Sequence, residues 1–314
     1  MLSQQLIPYG TENLGRLKSV LLHRPTVAVR NLNPVTAGFY LFDSIPDAEA
    51  YLAEHDQYKA LLLSHGVEVI ELEKHVVKTH SLMNTLPSLA YLHDIAVITR
   101  KGAILSKMGF GRQGEDAVVR EALLNLDIPV FYEFMSEDHF EGCLPLSPST
   151  LFIAHTERHR RASIDKAIPA LLTLFDEIIY VEVPKARRFM HADMVFGLIN
   201  PFLALYFRPA FLKTRLYTST GVSTLDFEKY MSSRGIELIE VSGEEQQTWG
   251  CSFVPLAPNR IIHYDIALSE KTKNHLTTKG IQLIEFHPKA LLAGGGSLRC
   301  LTLQLFRRPP YALG

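Results

Sequence analysis

A cysteine that follows a run of glycines is the most distinctive chemical feature of the chain. Gly294, Gly295 and Gly296 lie just before Cys300, and a strand with alternating leucines is predicted directly after it. Glycines carry no Cβ, so the backbone and a ligand can approach each other closely beside the thiol. A thiol becomes a nucleophile when its pKa is lowered or a cation stands beside it, and the neighbouring Arg299 is one source of charge. Cys300 is therefore the candidate nucleophile, and an inert buried cysteine is the alternative.

A histidine and three acidic residues supply the other candidate groups. His191 and Asp193 stand two residues apart at the predicted start of a strand, and this spacing projects both side chains to one face. Glu141 precedes Gly142 just before another predicted strand, and Asp94 opens a hairpin. An imidazole can transfer protons near neutral pH, and carboxylates bind cations. Alone, the His191 and Asp193 motif is better explained by a surface histidine and a solvated aspartate, and the other two motifs are weak, so their combination carries the prediction.

The segments that must position these residues repeat one plan. Pairs of apolar strands joined by a turn are predicted at 96–105, 194–207 and 253–264, and a helix follows, most clearly at 115–126. A short strand comes after each helix, and five such strands share a similar composition: 66–72, 128–132, 178–183, 235–240 and 280–285. They recur at intervals of about 45 to 60 residues, which is typical of propellers and arrays.

These five units predict a closed ring of ββαβ blades. Closure has a physical basis, because a small unit cannot bury its apolar face alone and an open array leaves sheet edges exposed. An ordinary α/β sheet with mixed strands is the alternative. No stretch has the composition of a linker, so residues 1–314 are predicted to form a single α/β domain.

Composition excludes several classes of protein. Apolar residues make up 47% of the chain, and the formal net charge is -1, so a folded protein without a nucleic-acid partner is predicted. There is no apolar run of about 18 residues and no secretory signal pattern, which argues against a membrane location. The three cysteines form no C-x-x-C pair, which argues against a zinc site and predicts a reducing, cytoplasmic compartment.

Together the motifs resemble the guanidine-modifying (pentein) superfamily of arginine deiminases, dimethylarginine hydrolases and amidinotransferases. The resemblance covers nearly the whole chain, is closest to arginine deiminase, and begins with segments 17–25, 32–34 and 41–43. The family's glycine-led cysteine, H-x-D pair, E-G-G acid and first-hairpin aspartate match Cys300, His191 with Asp193, Glu141, and Asp94. It implies a five-bladed ββαβ propeller with pseudo-fivefold symmetry, in agreement with the repeat.

The resemblance also implies a reaction on a small guanidino substrate. Cys300 would attack the central guanidinium carbon, His191 would transfer protons, and Glu141 would orient His191. Arginine or a derivative would become a ureido product plus ammonia or an amine, through a covalent thiouronium intermediate. Asp94 and Asp193 would hold the planar cation through paired N–H bonds. This covalent route uses no metal and no organic cofactor.

The same resemblance implies further substrate contacts and shows departures from the family. Arg158, Tyr91 and Leu41 are expected to bind substrate, and Arg158 matches a family arginine that binds carboxylate. Ser88 stands where the family often has an asparagine that helps to hold the α-carboxylate, and Cys143 replaces the second glycine of E-G-G. The chain also lacks the inserted helical domain of typical arginine deiminases. Free arginine is thus a first candidate only, and a homo-oligomer is expected from the resemblance alone.

Three alternatives to this hydrolase exist. An amidinotransferase would pass the amidino group from Cys300 to an amine, and the sequence does not separate the two reactions. A non-catalytic protein that binds a guanidino metabolite is suggested by the altered positions Ser88, His93 and Cys143. A nucleotide-binding protein is excluded, because the glycine run precedes a strand and matches no phosphate-binding motif.

Overall fold

Short helices alternate with strands throughout the chain. The computed structural model describes residues 8–309. The helices in this range are α1 Thr26–Arg30, α2 Pro34–Phe39, α3 Ala48–Ser64, α4 His80–Met83, α5 Glu115–Asn125, α6 Arg161–Leu171, α7 Phe227–Ser233, α8 Gly243–Gln247 and α9 Glu270–Thr278. Asp47, Ser242 and Ser269 cap α3, α8 and α9 by accepting backbone N–H bonds. Within residues 8–309, no helix has both the length and the apolar character that a membrane crossing needs.

The strands are short, and most of them are buried. They are β1 Arg16–Leu22, β2 Glu68–Glu71, β3 Ala96–Thr99, β4 Gly102–Leu105, β5 Val130–Glu133, β6 Leu144–Pro145, β7 Thr150–His155, β8 Glu177–Glu182, β9 Phe196–Asn200, β10 Leu203–Tyr206, β11 Lys213–Thr218, β12 Gly221–Thr224, β13 Glu237–Glu240, β14 Val254–Ala257, β15 Arg260–Tyr264, β16 Gln282–Phe286 and β17 Leu303–Arg308. Strands β3, β4 and β10 are buried along their whole length.

The strands of the described chain form five sheets. Their orders are β17-β1-β2, β3-β4-β5, β6-β7-β8-β11-β12, β9-β10-β13 and β14-β15-β16. Each sheet contains an antiparallel pair, and a further strand runs parallel to the second member of that pair. A helix precedes each of these parallel strands in the chain, because a parallel neighbour can be reached only by a crossover connection. The fold is therefore α/β with mixed sheets.

The predicted repeat is confirmed at the level of its elements. The three predicted hairpins are β3–β4, β9–β10 and β14–β15. The five predicted final strands are β2, β5, β8, β13 and β16. Helix α5 buries Val118, Val119 and Leu123 as its spacing indicates, whereas Leu124 is 43% exposed. The hairpin β11–β12, which extends one sheet, was not predicted.

Two predicted strand positions are wrong. His191 and Asp193 do not share a strand, because β9 begins only at Phe196 and Asp193 lies in a 3-10 turn, Ala192–Met194. The turn is closed by the Met194 N–H, which donates to the His191 carbonyl. Cys300 likewise precedes β17 by three residues.

The segments that precede the sheets carry the candidate residues. Asp94 precedes β3, Glu141 precedes β6, His191 and Asp193 precede β9, and Cys300 precedes β17. In every one of these cases the following strand opens the antiparallel pair of its sheet. Equivalent positions of the repeat therefore supply the site, and β17 brings Cys300 into it by pairing with β1 at the other end of the chain.

Candidate active site

The candidate residues meet at a cavity of about 340 Å³. Cys300, His191 and Asp94 lie on its wall, and so do Tyr91 and Leu41. The structure thus brings these five predicted residues to one place. Asp193 and Glu141 stand directly behind this wall, in contact with Cys300 and His191 respectively.

Cys300 belongs to a small ring of polar groups. Its Sγ lies 3.4 Å from Oγ of Ser297 and 3.8 Å from Oδ2 of Asp193. The Oγ of Ser252 completes the ring, at 2.5 Å from Oδ2 of Asp193 and 2.6 Å from Oγ of Ser297. Burial raises the pKa of the Cys300 thiol well above its usual value, and the charges of Asp193 and Asp94 raise it further. The neutral thiol therefore predominates at neutral pH.

The glycine run before Cys300 is explained by the ring of Tyr91. A Cβ at Gly294 would lie 1.7 Å from Oη of Tyr91, and a Cβ at Gly296 would lie 2.5 Å from Cε1 of the same ring. Gly295 has a φ of +72°, which side chains rarely adopt. The Tyr91 hydroxyl also accepts a hydrogen bond from Tyr51 at 3.1 Å. The glycines therefore let the chain pass against a fixed aromatic wall of the cavity.

His191 is held between two carboxylates. Its Nδ1 lies 3.2 Å from Oδ2 of Asp94, and its Nε2 lies 3.0 Å from Oε2 of Glu141. Both ring nitrogens are therefore engaged, and the plane of the imidazole is fixed. The side chain is buried but reaches the cavity, so it is oriented toward whatever binds there.

Glu141 is the most heavily bonded group of the site. It is fully buried, and besides His191 it accepts hydrogen bonds from Nε and Nη2 of Arg158 at 2.9 and 2.7 Å and from the Gly109 N–H at 2.7 Å. Burial alone would raise the pKa of Glu141, but His191 and Arg158 outweigh burial and hold it far below its usual value. Glu141 is therefore a permanent anion that orients His191.

Arg158 does not lie on the cavity wall of the described structure. Its guanidinium is bonded to Glu141 and to the carbonyl of Phe110 at 3.0 Å. The resemblance predicts that Arg158 binds a substrate carboxylate. In this geometry such a contact requires Arg158 to leave one of its present partners.

Two buried carboxylates lie close together at the cavity, Asp94 on its wall and Asp193 directly behind it. Asp94 and Asp193 each offer an oxygen within 4.8 Å of the other. Burial raises the pKa of Asp94 to about 6, against the opposing charges of His191 and Arg112. Burial also acts to raise the pKa of Asp193, but His93, Arg299 and Ser252 outweigh it and lower the value.

The Oδ1 atom of Asp193 has no hydrogen-bond partner among residues 8–309. A buried acceptor without a partner is costly, and such groups in native proteins usually await a ligand or water. A cation rich in N–H donors would satisfy this oxygen and neutralise the carboxylate pair.

A metal ion is the other cation that this pair of carboxylates could hold. His93, Asp94 and Asp193 are the described group whose donor atoms lie close enough together for one ion. However, Nε2 of His93 accepts a hydrogen bond from Nε of Arg299 at 3.2 Å, so it is not free to bind a metal. The residues therefore fit a metal ion poorly.

Strained backbone marks the upper rim of the cavity. Three non-glycine residues of the described chain have a positive φ: Leu41, Asp127 and Trp249. Leu41, at 64°, and Trp249, at 66°, both line the cavity. Left-handed backbone is costly for bulky side chains and clusters at functional sites, so both residues are held in place by their surroundings to shape this rim.

Two arginines at the rim differ in their partners. Arg187 is exposed and forms an ion pair with Asp43 at 2.8 Å. Arg188 is half-buried, lies over the ring of Phe189, and donates to Oε1 of Gln246 at 2.8 and 2.5 Å. No carboxylate among residues 8–309 pairs with Arg188, so its charge remains available at the cavity.

Sequence reasoning missed Ser252, Ser297 and Arg188. Ser297 stands inside the glycine-led motif, and Arg188 stands three residues before His191. Ser252 precedes β14, the strand that opens the remaining sheet. An alignment of the five repeats would have identified Ser252, because it occupies the position that supplies the other site residues. The two remaining cysteines, Cys143 and Cys251, are buried free thiols.

Comparisons with known proteins show the family to which the chain belongs. The arginine deiminase family model matches residues 73–307. An arginine deiminase of Borrelia garinii subsp. bavariensis is 23% identical over 94% of this chain and 96% of its own. That of Treponema denticola is 24% identical over 95% and 98%. The Borrelia alignment is 400 positions long against 314 residues here, so the relative carries segments that this chain lacks.

Solved structures share the fold. The N-terminal domain of ArgZ, an arginine dihydrolase of cyanobacteria solved with substrate, superposes with a TM-score of 0.69 at 18% identity, over 93% of this chain and 99% of that domain. A dimethylarginine dimethylaminohydrolase superposes with a TM-score of 0.64 at 16% identity, over 92% and 100%.

The fold and the site define an α/β enzyme of the pentein class, which hydrolyses carbon–nitrogen bonds of amidines. Within that class, the chain belongs to the arginine deiminase family. The predicted superfamily and enzyme class are thereby confirmed.

Proposed function

We propose that this enzyme hydrolyses a small guanidino substrate through a covalent thiouronium intermediate on Cys300. One observation carries the proposal: a buried thiol and the neighbouring carboxylates Asp94 and Asp193 share one site with a histidine whose two ring nitrogens each lie close to a carboxylate. The product is a ureido compound plus ammonia or an amine. Arginine is the first candidate substrate, and arginine derivatives come next.

The guanidinium binds between the two aspartates. A planar cation with several N–H donors matches two carboxylates within 4.8 Å of each other. It gives the unpartnered Oδ1 of Asp193 a donor. Tyr91 forms one wall for the substrate and Leu41 forms the rim. The positive charge of the substrate also lowers the pKa of the Cys300 thiol, since it opposes the two carboxylates that raise it.

The chemistry then proceeds in two stages. In the complex the guanidinium occupies Asp94 in place of His191, so Nδ1 of His191 is free to accept the proton of Cys300 as Sγ attacks the guanidinium carbon. The same proton passes from His191 to one nitrogen, the C–N bond breaks, and ammonia or an amine leaves. A water molecule then gives a proton to His191 and attacks the carbon. The S–C bond breaks, and His191 returns its proton to the sulfur. The remaining hydroxyl proton passes to the released ammonia or amine, and the ureido product leaves. Glu141 keeps His191 in position through both stages.

The acidic end of the substrate is assigned to Arg188. Arg158 and Arg112 are both bonded to acidic residues, Glu141 and Glu115, whereas Arg188 meets only an amide. A free guanidinium on a cavity wall is the group best suited to bind a carboxylate. We therefore propose that Arg158 holds Glu141 in place, and that it contacts the substrate only if the site rearranges.

The architecture is proposed to be a five-bladed ββαβ propeller with pseudo-fivefold symmetry, formed by residues 1–314 as one catalytic domain. Support comes from contacts between neighbouring sheets: β17 meets β3, β1 meets β14, and β14 meets β9. Strand β7 meets the turn before β9, and a bridge joins Lys107 to Phe140. These contacts support a circular order of the five sheets. A cytoplasmic location is proposed as well, since all three cysteines are free thiols.

The test is product analysis over a panel of guanidino compounds. Arginine, methylated arginines, agmatine and guanidino acids are each incubated with wild type and with Cys300→Ala, and ammonia, amines and ureido products are measured. The expected result is a ureido product from at least one compound, formed only with Cys300 present. An amine acceptor added in parallel distinguishes the amidinotransferase, whose turnover would require it. If no compound of the panel gives a product, with or without the acceptor, an enzymatic role on these substrates is contradicted.

A further inference from the structure

A second, smaller cavity lies back to back with the active site. It measures about 50 Å³. His93 and Arg299 line this cavity, while their sequence neighbours Asp94 and Cys300 line the active-site cavity. One layer of the chain therefore separates the two cavities, and its successive residues face opposite sides.

Two buried arginines line the small cavity. Arg299 is 9% exposed and Arg307 is 3% exposed. Arg299 donates from Nε to His93 at 3.2 Å and from Nη1 to the Phe253 carbonyl at 3.2 Å. All of these acceptors are neutral. A guanidinium has five N–H donors, so Arg299 keeps donors that no described residue uses.

Arg307 is bonded in the same way. It donates to Oε1 of Gln304 at 2.8 Å, to the Gly15 carbonyl at 2.8 Å and to the Pro255 carbonyl at 2.5 Å. Again each acceptor is neutral. Within residues 8–309, neither Arg299 nor Arg307 lies within ion-pair distance of a carboxylate.

The small cavity therefore carries an uncompensated positive charge. Burial and the charge of Arg299 together lower the pKa of Arg307 to about 9. The carboxylate of Asp193 acts on Arg299 from beyond ion-pair distance, but it also serves the active site. Buried charges in proteins are normally paired, because an unpaired charge costs several kcal/mol. A bound anion would compensate this charge.

We infer that the small cavity is a binding site for a small monovalent anion of the chloride type, held between Arg299 and Arg307. A cavity of 50 Å³ has room for a few water molecules, since one water needs about 10–15 Å³ of such space. A chloride ion with a water fits, whereas an amino-acid carboxylate with its side chain does not. The inference is independent of the proposed reaction, because it rests on other residues.

The position of this anion gives it an influence on the catalytic layer. Arg299 directly precedes Cys300, and its charge helps to keep Asp193 ionised. An anion beside Arg299 offsets part of that charge. The anion is therefore a structural ion that also adjusts the electrostatics of the active site from behind.

Chloride binding can be measured on the full-length protein by the excess NMR line width of the chloride resonance during a titration. Wild type is expected to show a saturable excess width. Arg307→Met removes one guanidinium, and Val97→Met fills the cavity wall while leaving both arginines. Both are expected to weaken binding at least tenfold. Arg16→Met, which removes an exposed arginine, and Arg188→Met, at the active-site rim, serve as controls that keep it.

The outcomes are decisive in either direction. No saturable excess width with wild type means that the cavity holds water only, and the proposal fails. Binding that survives Val97→Met, or that is lost in Arg188→Met instead, puts the anion elsewhere and also overturns it. If Arg307→Met does not fold, Val97→Met decides, because it leaves the hydrogen bonds of Arg307 intact.

Discussion

The Sγ of Cys300 lies 3.8 Å from Oδ2 of Asp193, and both groups are buried. The thiol donates toward the carboxylate, and the negative charge of Asp193 disfavours the thiolate. The same carboxylate is the proposed partner of the substrate guanidinium. Under the proposed function, one residue would therefore restrain the nucleophile until a cation arrives, and would also bind that cation.

Replacing Asp193 should separate these two roles. In Asp193→Asn the thiol pKa falls, because a charge that raises it is removed, and alkylation of Cys300 by iodoacetamide at pH 7.5 should accelerate by about tenfold per pKa unit. Turnover should be lost, since the guanidinium loses a carboxylate. Peptide mapping resolves Cys300 from Cys143 and Cys251. Asp165→Asn, at an exposed pair, is the control. Slower or unchanged alkylation in Asp193→Asn would refute the restraint.

Glu141 should matter for both stability and turnover. Glu141→Gln leaves Arg158 without its carboxylate and His191 without a charged partner, so unfolding in urea should reveal a loss of about 3–5 kcal/mol. At temperatures where the variant is folded, kcat should fall by roughly 10²–10⁴-fold, with little change in KM. Glu49→Gln, at an exposed ion pair, should behave as wild type. A normal kcat in Glu141→Gln would show that His191 needs no support.

Most of the fold was predictable because it repeats. Strand pairs such as β3–β4 and β14–β15 are apolar runs around a turn, and periodicity alone indicates them. The turns that hold the catalytic groups were not predictable in the same way. Ser297 accepts the backbone N–H groups of Arg299 and Cys300, so local side-chain bonds hold Cys300 in a turn before β17. A pattern of alternating leucines does not show that such side-chain hydrogen bonds compete with strand formation.

The sequence also does not show which side chains bond to each other within the site. The types of Arg158 and Arg188 do not reveal which one is neutralised by a neighbour. That depends on Glu141 and Gln246, which lie 17 and 58 residues away. Likewise, the glycine run suggested an open approach for a ligand, whereas the structure shows that the run is also required by the ring of Tyr91.

Arg188 should affect substrates according to their charge. Arg188→Met should raise KM for a guanidino substrate that carries a carboxylate by roughly 10–100-fold, the value of one charged hydrogen-bond pair of about 1.5–3 kcal/mol. Agmatine, which has no carboxylate, should be affected little. Arg187→Met is the matched comparison, because Asp43 already neutralises Arg187, and its effect should be smaller. An equal loss for both substrates in Arg188→Met would contradict the assignment.

Two buried histidines far from the reaction should set the acid stability. Both ring nitrogens of His23 and of His55 lack partners among residues 8–309, and burial lowers their pKa values to about 3 and about 4. The unfolded chain binds these protons near pH 6.5, so the stabilisation is present above that pH and is lost as pH falls toward 4.

The slope of the unfolding free energy against pH is the measurement for this pair. Between pH 6 and pH 4, the double variant His23→Gln with His55→Gln should have a slope smaller than wild type by up to about 2.7 kcal/mol per pH unit, for two protons. His275→Gln, an exposed histidine, should keep the wild-type slope. An unchanged slope in the double variant would mean that other groups set the acid limit.

The covalent intermediate is the centre of the account, and its mass tests the account directly. Wild type is mixed with the best substrate of the panel, quenched in acid within one turnover, and the peptide containing Cys300 is analysed by mass spectrometry. The hydrolase predicts an adduct on Cys300 equal to the substrate minus ammonia or the small amine. An adduct of the amidino group alone would identify an amidinotransferase. Turnover without any adduct on Cys300 would contradict the covalent mechanism itself.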